Sequence, residues 1–195
     1  MYNYEIHVTV ESCNIDHFKR YCGDANAKPL LIDLQRTGII VDKHLMCSKR
    51  ISTDDYGYVV YEALKISNFF ISKNLNVLRI KIETEINNLI FIYHSNFYYE
   101  CHVPVIVKDN FDMSFLQKNS DWHLSKNVFK KIENYDIMFL TTRNVNYNQF
   151  EKSIEELKLK LESFKILINE DKIEKECVIL DTNLSLDNKW VKNLS

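Results

Sequence analysis

The side chains best suited to chemistry sit in two short segments that echo each other. Glu5-Ile6-His7-Val8-Thr9-Val10 returns ninety-five residues later as Glu100-Cys101-His102-Val103-Pro104-Val105. In an extended chain, successive side chains point to opposite faces. Tyr4, Ile6, Val8 and Val10 then make an apolar back, while Glu5, His7, Thr9 and Glu11 project the other way. The second copy sets Cys101, Val103 and Val105 against Glu100, His102 and Pro104. Imidazole changes charge near neutral pH, so a histidine beside a glutamate is a candidate acid or base. Two such histidines facing one phosphate would take and give a proton while cations hold its oxygens. Cations are at hand: from Val77 to Glu85, Leu78, Ile80 and Ile82 alternate with Arg79, Lys81 and Glu83.

The elements that would position these residues follow from periodicity. Ile15, Phe18 and Cys22 predict a short helix over roughly 13–24, and Pro29 opens a strand that runs to Leu34. A third strand covers 43–51, and Thr53-Asp54-Asp55 offers caps for a long helix to about 73. On that helix Val59, Ala63, Ile66 and Phe70 form a buried stripe. The strand 77–85 completes a βαββαβ order, the ferredoxin-like arrangement.

The second half repeats that order: a strand at 97–108, a helix around 112–119 capped by Asp112, and strands near 121–131 and 136–143. A helix at 147–167 follows, striped by Phe150, Ile154, Leu157, Leu161 and Phe164, and then a strand from Glu176 to Thr182. Ser48-Lys49-Arg50 echoes Thr141-Thr142-Arg143, and Ile82-Glu83-Thr84 echoes Leu180-Asp181-Thr182. The expected fold is therefore α+β, an internally duplicated ferredoxin-like protein of two lobes, 1–86 and 97–195. The connection is 87–96, where Leu89-Ile90-Phe91-Ile92 is a candidate extra strand.

In such a lobe the first strand is central, so His7 lies beside Arg79, Lys81 and Glu83, with Arg50 near. Glu100, His102, Arg143 and Asp181 take the equivalent places in the second lobe. Open faces packed toward each other would bring both sets to one cleft. His7 and His102 are then the candidate acid/base pair, and Thr9, Arg50, Arg79, Lys81 and Arg143 the candidate phosphate ligands. Glu5, Glu83, Glu100 and Asp181 support them.

Composition narrows the setting. Hydrophobic residues make up 46% of the 195 residues and aromatics 12%, enough for a core. With only 3 glycines and 2 prolines, turns fall to Asn and Asp. A net charge of −2 gives no global basic field, although Lys126, Lys130 and Lys131 form a local cluster. The 5 cysteines are an odd number without a CxxC pair, no signal peptide precedes the first strand, and no apolar run reaches a membrane span. A reducing cytoplasmic compartment with free thiols is the expectation, with no cofactor and no membrane partner.

At its histidine strands the chain resembles the two-histidine phosphoesterases, a duplicated two-lobed α/β family with a His-hydrophobic-Thr/Ser-hydrophobic motif in each lobe. His7-Val8-Thr9-Val10 fits that motif in full; in the second copy Pro104 stands where the hydroxyl belongs, so only His102 carries over. The resemblance implies hydrolysis of phosphodiesters or cyclic phosphates on nucleotides or RNA ends. His123-Leu124-Ser125-Lys126 matches the letters on another strand. The alternation Arg79-x-Lys81-x-Glu83-x-Glu85 is similar to the charges lining the tunnel of the CYTH phosphatases, without their opening Glu-x-Glu-x-Lys. His123 to Asn127, with Asp181-x-Asn183 and Leu186-Asp187-x-x-Trp190, looks like motifs of a group of uncharacterised bacterial and viral proteins of similar length.

The residues also admit other readings. The two histidines can be structural, each bonded to its neighbouring glutamate, and the alternating charges can be cross-strand ion pairs. Glu5, His7, Glu100 and His102 suit a zinc or manganese ion, although nearby Arg and Lys oppose one. The expectation is thus a phosphate-directed hydrolase acting on a nucleotide or RNA-end phosphate. The alternative is a non-catalytic intracellular module that binds a ligand or a protein.

Overall fold

The computed structural model describes residues 1–36, 39–88, 97–108, 113–117, 122–166, 168 and 170–187. The strands are β1 (Tyr2–Val10), β2 (Lys28–Arg36), β3 (Ile39–Thr53), β4 (Val77–Glu85), β5 (Tyr98–Lys108), β6 (His123–Ile132), β7 (Tyr135–Asn144) and β8 (Glu174–Asp181). The helices are α1 (Ile15–Asp24), α2 (Tyr56–Ser72), the single turn α3 (Ser114–Gln117) and α4 (Tyr147–Ser163).

Local chemistry accounts for the boundaries. Asn14, Asp55 and Asn146 cap α1, α2 and α4, each accepting a backbone N–H of the first turn. Asp55 is one of the three caps expected for α2. Left-handed positions fall to Asn26, Asn74 and Asn134, with φ of 50°, 59° and 61°, as the shortage of glycine favours, and also to Lys165 with φ of 57°. The expected Asp112 cap, the extra strand at 89–92 and Trp190 lie outside the described residues.

The strands hydrogen-bond in the order β1-β3-β2-β6-β7-β5-β8-β4, and β4 returns to β1. This closed eight-stranded antiparallel barrel corrects the expected duplicated ferredoxin-like fold of two lobes. The physical reason is edge pairing. β2 does not end a sheet, because Ile32–Gln35 pair with Asn127–Leu124 of β6. Closure leaves no edge strand among the described residues.

The chain divides into two compact units: 1–31, 44–97 and 177–186 form one, and 32–43, 98–176 and 187–195 form the other. In unit 1, β1 runs between β3 and β4, and α2 packs on β1 and β4. Tyr4, Ile6, Val8 and Val10 meet Val59, Ala63, Ile66 and Phe70 on that side, and Phe18 of α1 stacks on Phe70 with ring centroids 5.7 Å apart. In unit 2, α4 packs on β5 and β7, burying Phe150, Ile154, Leu157 and Leu161 with Cys101, Val103, Val105 and Leu140.

Candidate functional site

Unit 1 places most of the expected site residues on the sheet face away from α2. The register sets His7 opposite Ser48 on β3 and opposite Lys81 on β4, and sets Glu5 opposite Arg50 and Glu83. Arg79, Lys81 and Glu83 are buried, as are Ile80 and Ile82 on the other face, so β4 is covered on both sides. Buried charges need partners, and each has one. His7 Nε2 lies 2.8 Å from Glu83 Oε2 and 3.7 Å from Glu5 Oε1. Lys81 Nζ lies 2.5 Å from Glu83 Oε1. Arg50 Nε donates to Glu5 Oε2 at 2.6 Å, and the Ser48 hydroxyl donates to Glu5 Oε1. Burial pulls the Glu5 carboxyl upward, but His7, Ser48 and Arg50 hold it below its ordinary value. Arg79 grips Asp181 with two bonds, the Nε bond at 2.8 Å. Thr9 is buried opposite Arg79.

The His7 ring is oriented by this network. A carboxylate only accepts, so Nε2 carries a proton toward Glu83. Nδ1 is buried and makes no hydrogen bond among the described residues.

Unit 2 has its own network. β5 sets His102 opposite Thr141 and Glu100 opposite Arg143. His102 Nε2 lies 2.9 Å from Glu100 Oε1, and Nδ1 lies 2.8 Å from Thr141 Oγ1. With its proton on Nε2, His102 accepts the Thr141 hydroxyl at Nδ1. This Glu–His–Thr chain has the order of an orienter, a base and a nucleophile. Thr141 is fully buried. Arg143 Nε bonds Glu100, Nη1 lies 2.5 Å from Asp187 Oδ2, and the guanidinium stands 5.4 Å from the Tyr98 ring centre. Burial alone would lower the Arg143 pKa, yet Glu100, Tyr98 and Asp187 raise it well above the ordinary value.

The placement differs from expectation at several points. Asp181, expected beside Glu100, His102 and Arg143, belongs to unit 1 and pairs with Arg79. The four potential metal ligands divide two and two, Glu5 and His7 in unit 1, Glu100 and His102 in unit 2. Ser48, Thr141 and Asp187 were not among the expected site residues. Position opposite each histidine would have pointed to the two hydroxyls, whereas Asp187 lies in a short 3-10 turn that carries no periodic signal.

The closed barrel replaces the duplicated two-lobed fold on which the expectation of a phosphoesterase-type hydrolase relied. The cations expected to hold phosphate also have carboxylate partners: Arg50 with Glu5, Arg79 with Asp181, Lys81 with Glu83, Arg143 with Glu100 and Asp187.

No helix among the described residues is long and apolar enough to cross a membrane. No family model matches the chain, and no curated protein does. Among solved structures, one described as a glycine cleavage system transcriptional repressor is similar at 11% identity, covering 90% of this chain and 98% of that one, with a TM-score of 0.31. A likeness at that score carries no inference about fold or function.

Proposed function

We propose that the chain is a non-catalytic protein-binding module that docks through the outer face of α2, in a reducing cytoplasmic compartment. The observation that carries this reading is the surface of α2. Its inner stripe is covered by β1 and β4, yet Tyr58, Tyr61, Leu64 and Ile71 on its outer side are 47%, 60%, 50% and 55% exposed. Clustered exposed apolar side chains mark interaction sites. α4 also exposes Leu159 and, at its first residue, Tyr147, but sets them apart among the exposed charges of Lys152, Glu155, Glu156 and Glu162.

The histidine networks fit this reading as architecture. Their bonds satisfy buried charge, and the Thr141 hydroxyl aligned on His102 is buried. The compartment is supported by the thiols: all five cysteines are free.

The test is site-specific photo-crosslinking in cells, with the crosslinker in turn at Tyr58, Tyr61, Ile71 and, as control, Leu159 of α4. The same protein should be captured from the three α2 positions, and Leu64→Glu should abolish capture. Capture no stronger than at Leu159 would sink the reading. So would turnover of a 2′,3′-cyclic nucleotide by the purified protein that is lost in His7→Ala.

A further inference from the structure

We propose that the partner of α2 is an acidic amphipathic helix of another protein, its apolar side on Tyr61, Leu64 and Ile71 and its carboxylates on Arg20 and Lys73. This rests on the reading of α2 as a docking face and names the chemistry of what docks there.

Charge selects the partner. The chain as a whole is slightly acidic, with 27 Asp and Glu against 25 Lys and Arg, yet from Ala63 to Ile82 it holds no acidic residue. Within α2 the one acid is Glu62, which is buried and bonded to Lys49 and Lys65. Asp54 and Asp55, just before the first turn, are engaged by the Met1 ammonium and the Tyr58 N–H. Lys65 and the capping Lys73 are thus the exposed charges that flank the apolar row.

α1 adds a third cation. The Arg20 guanidinium stands 5.2 Å from the Tyr21 ring centre. Lys73 Nζ stands 5.9 Å from that same ring centre and 5.3 Å from that of Phe69. Tyr21 and Phe69 meet edge to face, with centroids 6.3 Å apart. Arg20 and Lys73 are exposed and form no ion pair among the described residues, with Asp16 and Asp24 of α1 or with any other acid. A ring face attracts a cation without cancelling its charge. Two aromatic side chains therefore hold two like charges close together, and carboxylates from outside would relieve their repulsion.

The partner must also satisfy its own backbone. The barrel leaves no edge strand among the described residues, so an extended segment finds no ladder to join. A helix brings its own backbone bonds, and its side chains pack along the row from Tyr58 to Ile71, about 20 Å long.

The test places a photo-crosslinker at Tyr61 of the full chain in cells and maps the cross-linked peptide by mass spectrometry. That segment should carry apolar residues at helical spacing and more Asp and Glu than Lys and Arg. Its synthetic peptide should bind the purified chain in fluorescence anisotropy and gain helix on binding by circular dichroism. Arg20→Glu combined with Lys73→Glu should weaken binding by about tenfold or more, and Lys in place of the peptide's acids should restore it. Lys152→Glu on α4 should change nothing. If the double reversal fails to fold, Arg20→Gln with Lys73→Gln replaces it and should weaken binding in the same direction. A basic or uncharged segment, a peptide that binds without gaining helix, or an affinity indifferent to the reversal overturns the acidic helix and leaves the docking face standing. Sedimentation with phosphatidylserine vesicles that is lost in Leu64→Glu, without protein capture, overturns it in favour of a membrane surface. Absence of both ends the proposal and the docking reading together.

Discussion

Replacing Arg143 with methionine removes the cation that both Glu100 and Asp187 bond, in a place where neither carboxylate reaches water freely. Arg143, Glu100 and Asp187 are at most 5% exposed in their side chains. Methionine matches the length of the arginine stem, so packing changes little and the electrostatic loss dominates. Breaking a buried pair by removing one partner costs roughly 3–5 kcal/mol, because the remaining charge stays desolvated. That is a large share of the roughly 5–15 kcal/mol that holds a domain folded. With a urea slope of about 2 kcal/mol per molar, the unfolding midpoint should fall by about 1.5–2.5 M. Arg143→Lys should fall between, since a single ammonium does not reproduce the two-directional grip of Nε and Nη1.

The pH dependence gives the sharper check. In the variant, burial without a cation raises the folded pKa of Glu100 or Asp187 above its unfolded value. Below that raised pKa the folded variant binds more protons than the unfolded chain, so acidification stabilises it. In the wild type, carboxylates paired with cations bind fewer protons when folded, so acidification destabilises it. The gap between the two proteins should therefore narrow steadily as pH falls from neutrality toward about 4. Urea titrations at several pH values measure it. A loss below about 1 kcal/mol, or a gap independent of pH, would mean that the pair is solvated and worth no more than a surface salt bridge.

Other consequences follow from the same networks. Glu5 is held below its ordinary pKa, so its contribution is complete above about pH 4.3 and lost as pH falls through the lower folded value. Glu5→Gln should thus cost about 1–3 kcal/mol at pH 7, and the cost should vanish on acid titration followed by circular dichroism. Thr141→Val keeps shape but leaves His102 Nδ1 without its donor, costing about 1–3 kcal/mol, which a thermal melt reads as about 2–4 °C per kcal/mol. Of the five thiols, Cys22, Cys47, Cys101 and Cys177 are buried, and burial pushes Cys101 and Cys177 up to about 12. A thiol reagent should label Cys13 alone in the folded protein, and the other four only in denaturant; labelling of a buried thiol at the Cys13 rate would contradict the packing.

Local structure was legible in the sequence because its signals are local. The stripe Val59, Ala63, Ile66, Phe70 located α2, and the alternation of Ile80 and Ile82 with Arg79 and Lys81 located β4, each as the strand and helix periods require. Ring closure was not legible. Alternation states which side chains share a face, but it is identical for a strand that ends a sheet and one that is paired on both edges. The pairing of Ile32–Gln35 with Asn127–Leu124 joins segments about ninety residues apart, and neither carries a mark of the other. Nor did composition separate a solvated charged face from a buried one. Arg79, Lys81 and Glu83 look the same in sequence either way, and only the structure shows them covered.

That burial changes what the echoed Glu-His pairs mean. A charged side chain on a covered sheet face must find a counter-charge or a hydroxyl at a fixed cross-strand position. β1 finds Arg50 and Ser48 on β3 and Lys81 and Glu83 on β4; β5 finds Arg143 and Thr141 on β7. Similar segments thus meet the same physical demand with similar residues, whether or not any reaction occurs. The pairs also fix alignment. A slip of one residue in β1 would turn Glu5 and His7 toward Val59 and Phe70 and leave Arg50 and Ser48 without acceptors. Each polar group thereby makes wrong registers more costly than apolar packing alone would, since oily faces tolerate sliding and directional bonds do not. Strand alignment is therefore a demand that the echo meets on its own, independently of any proton transfer.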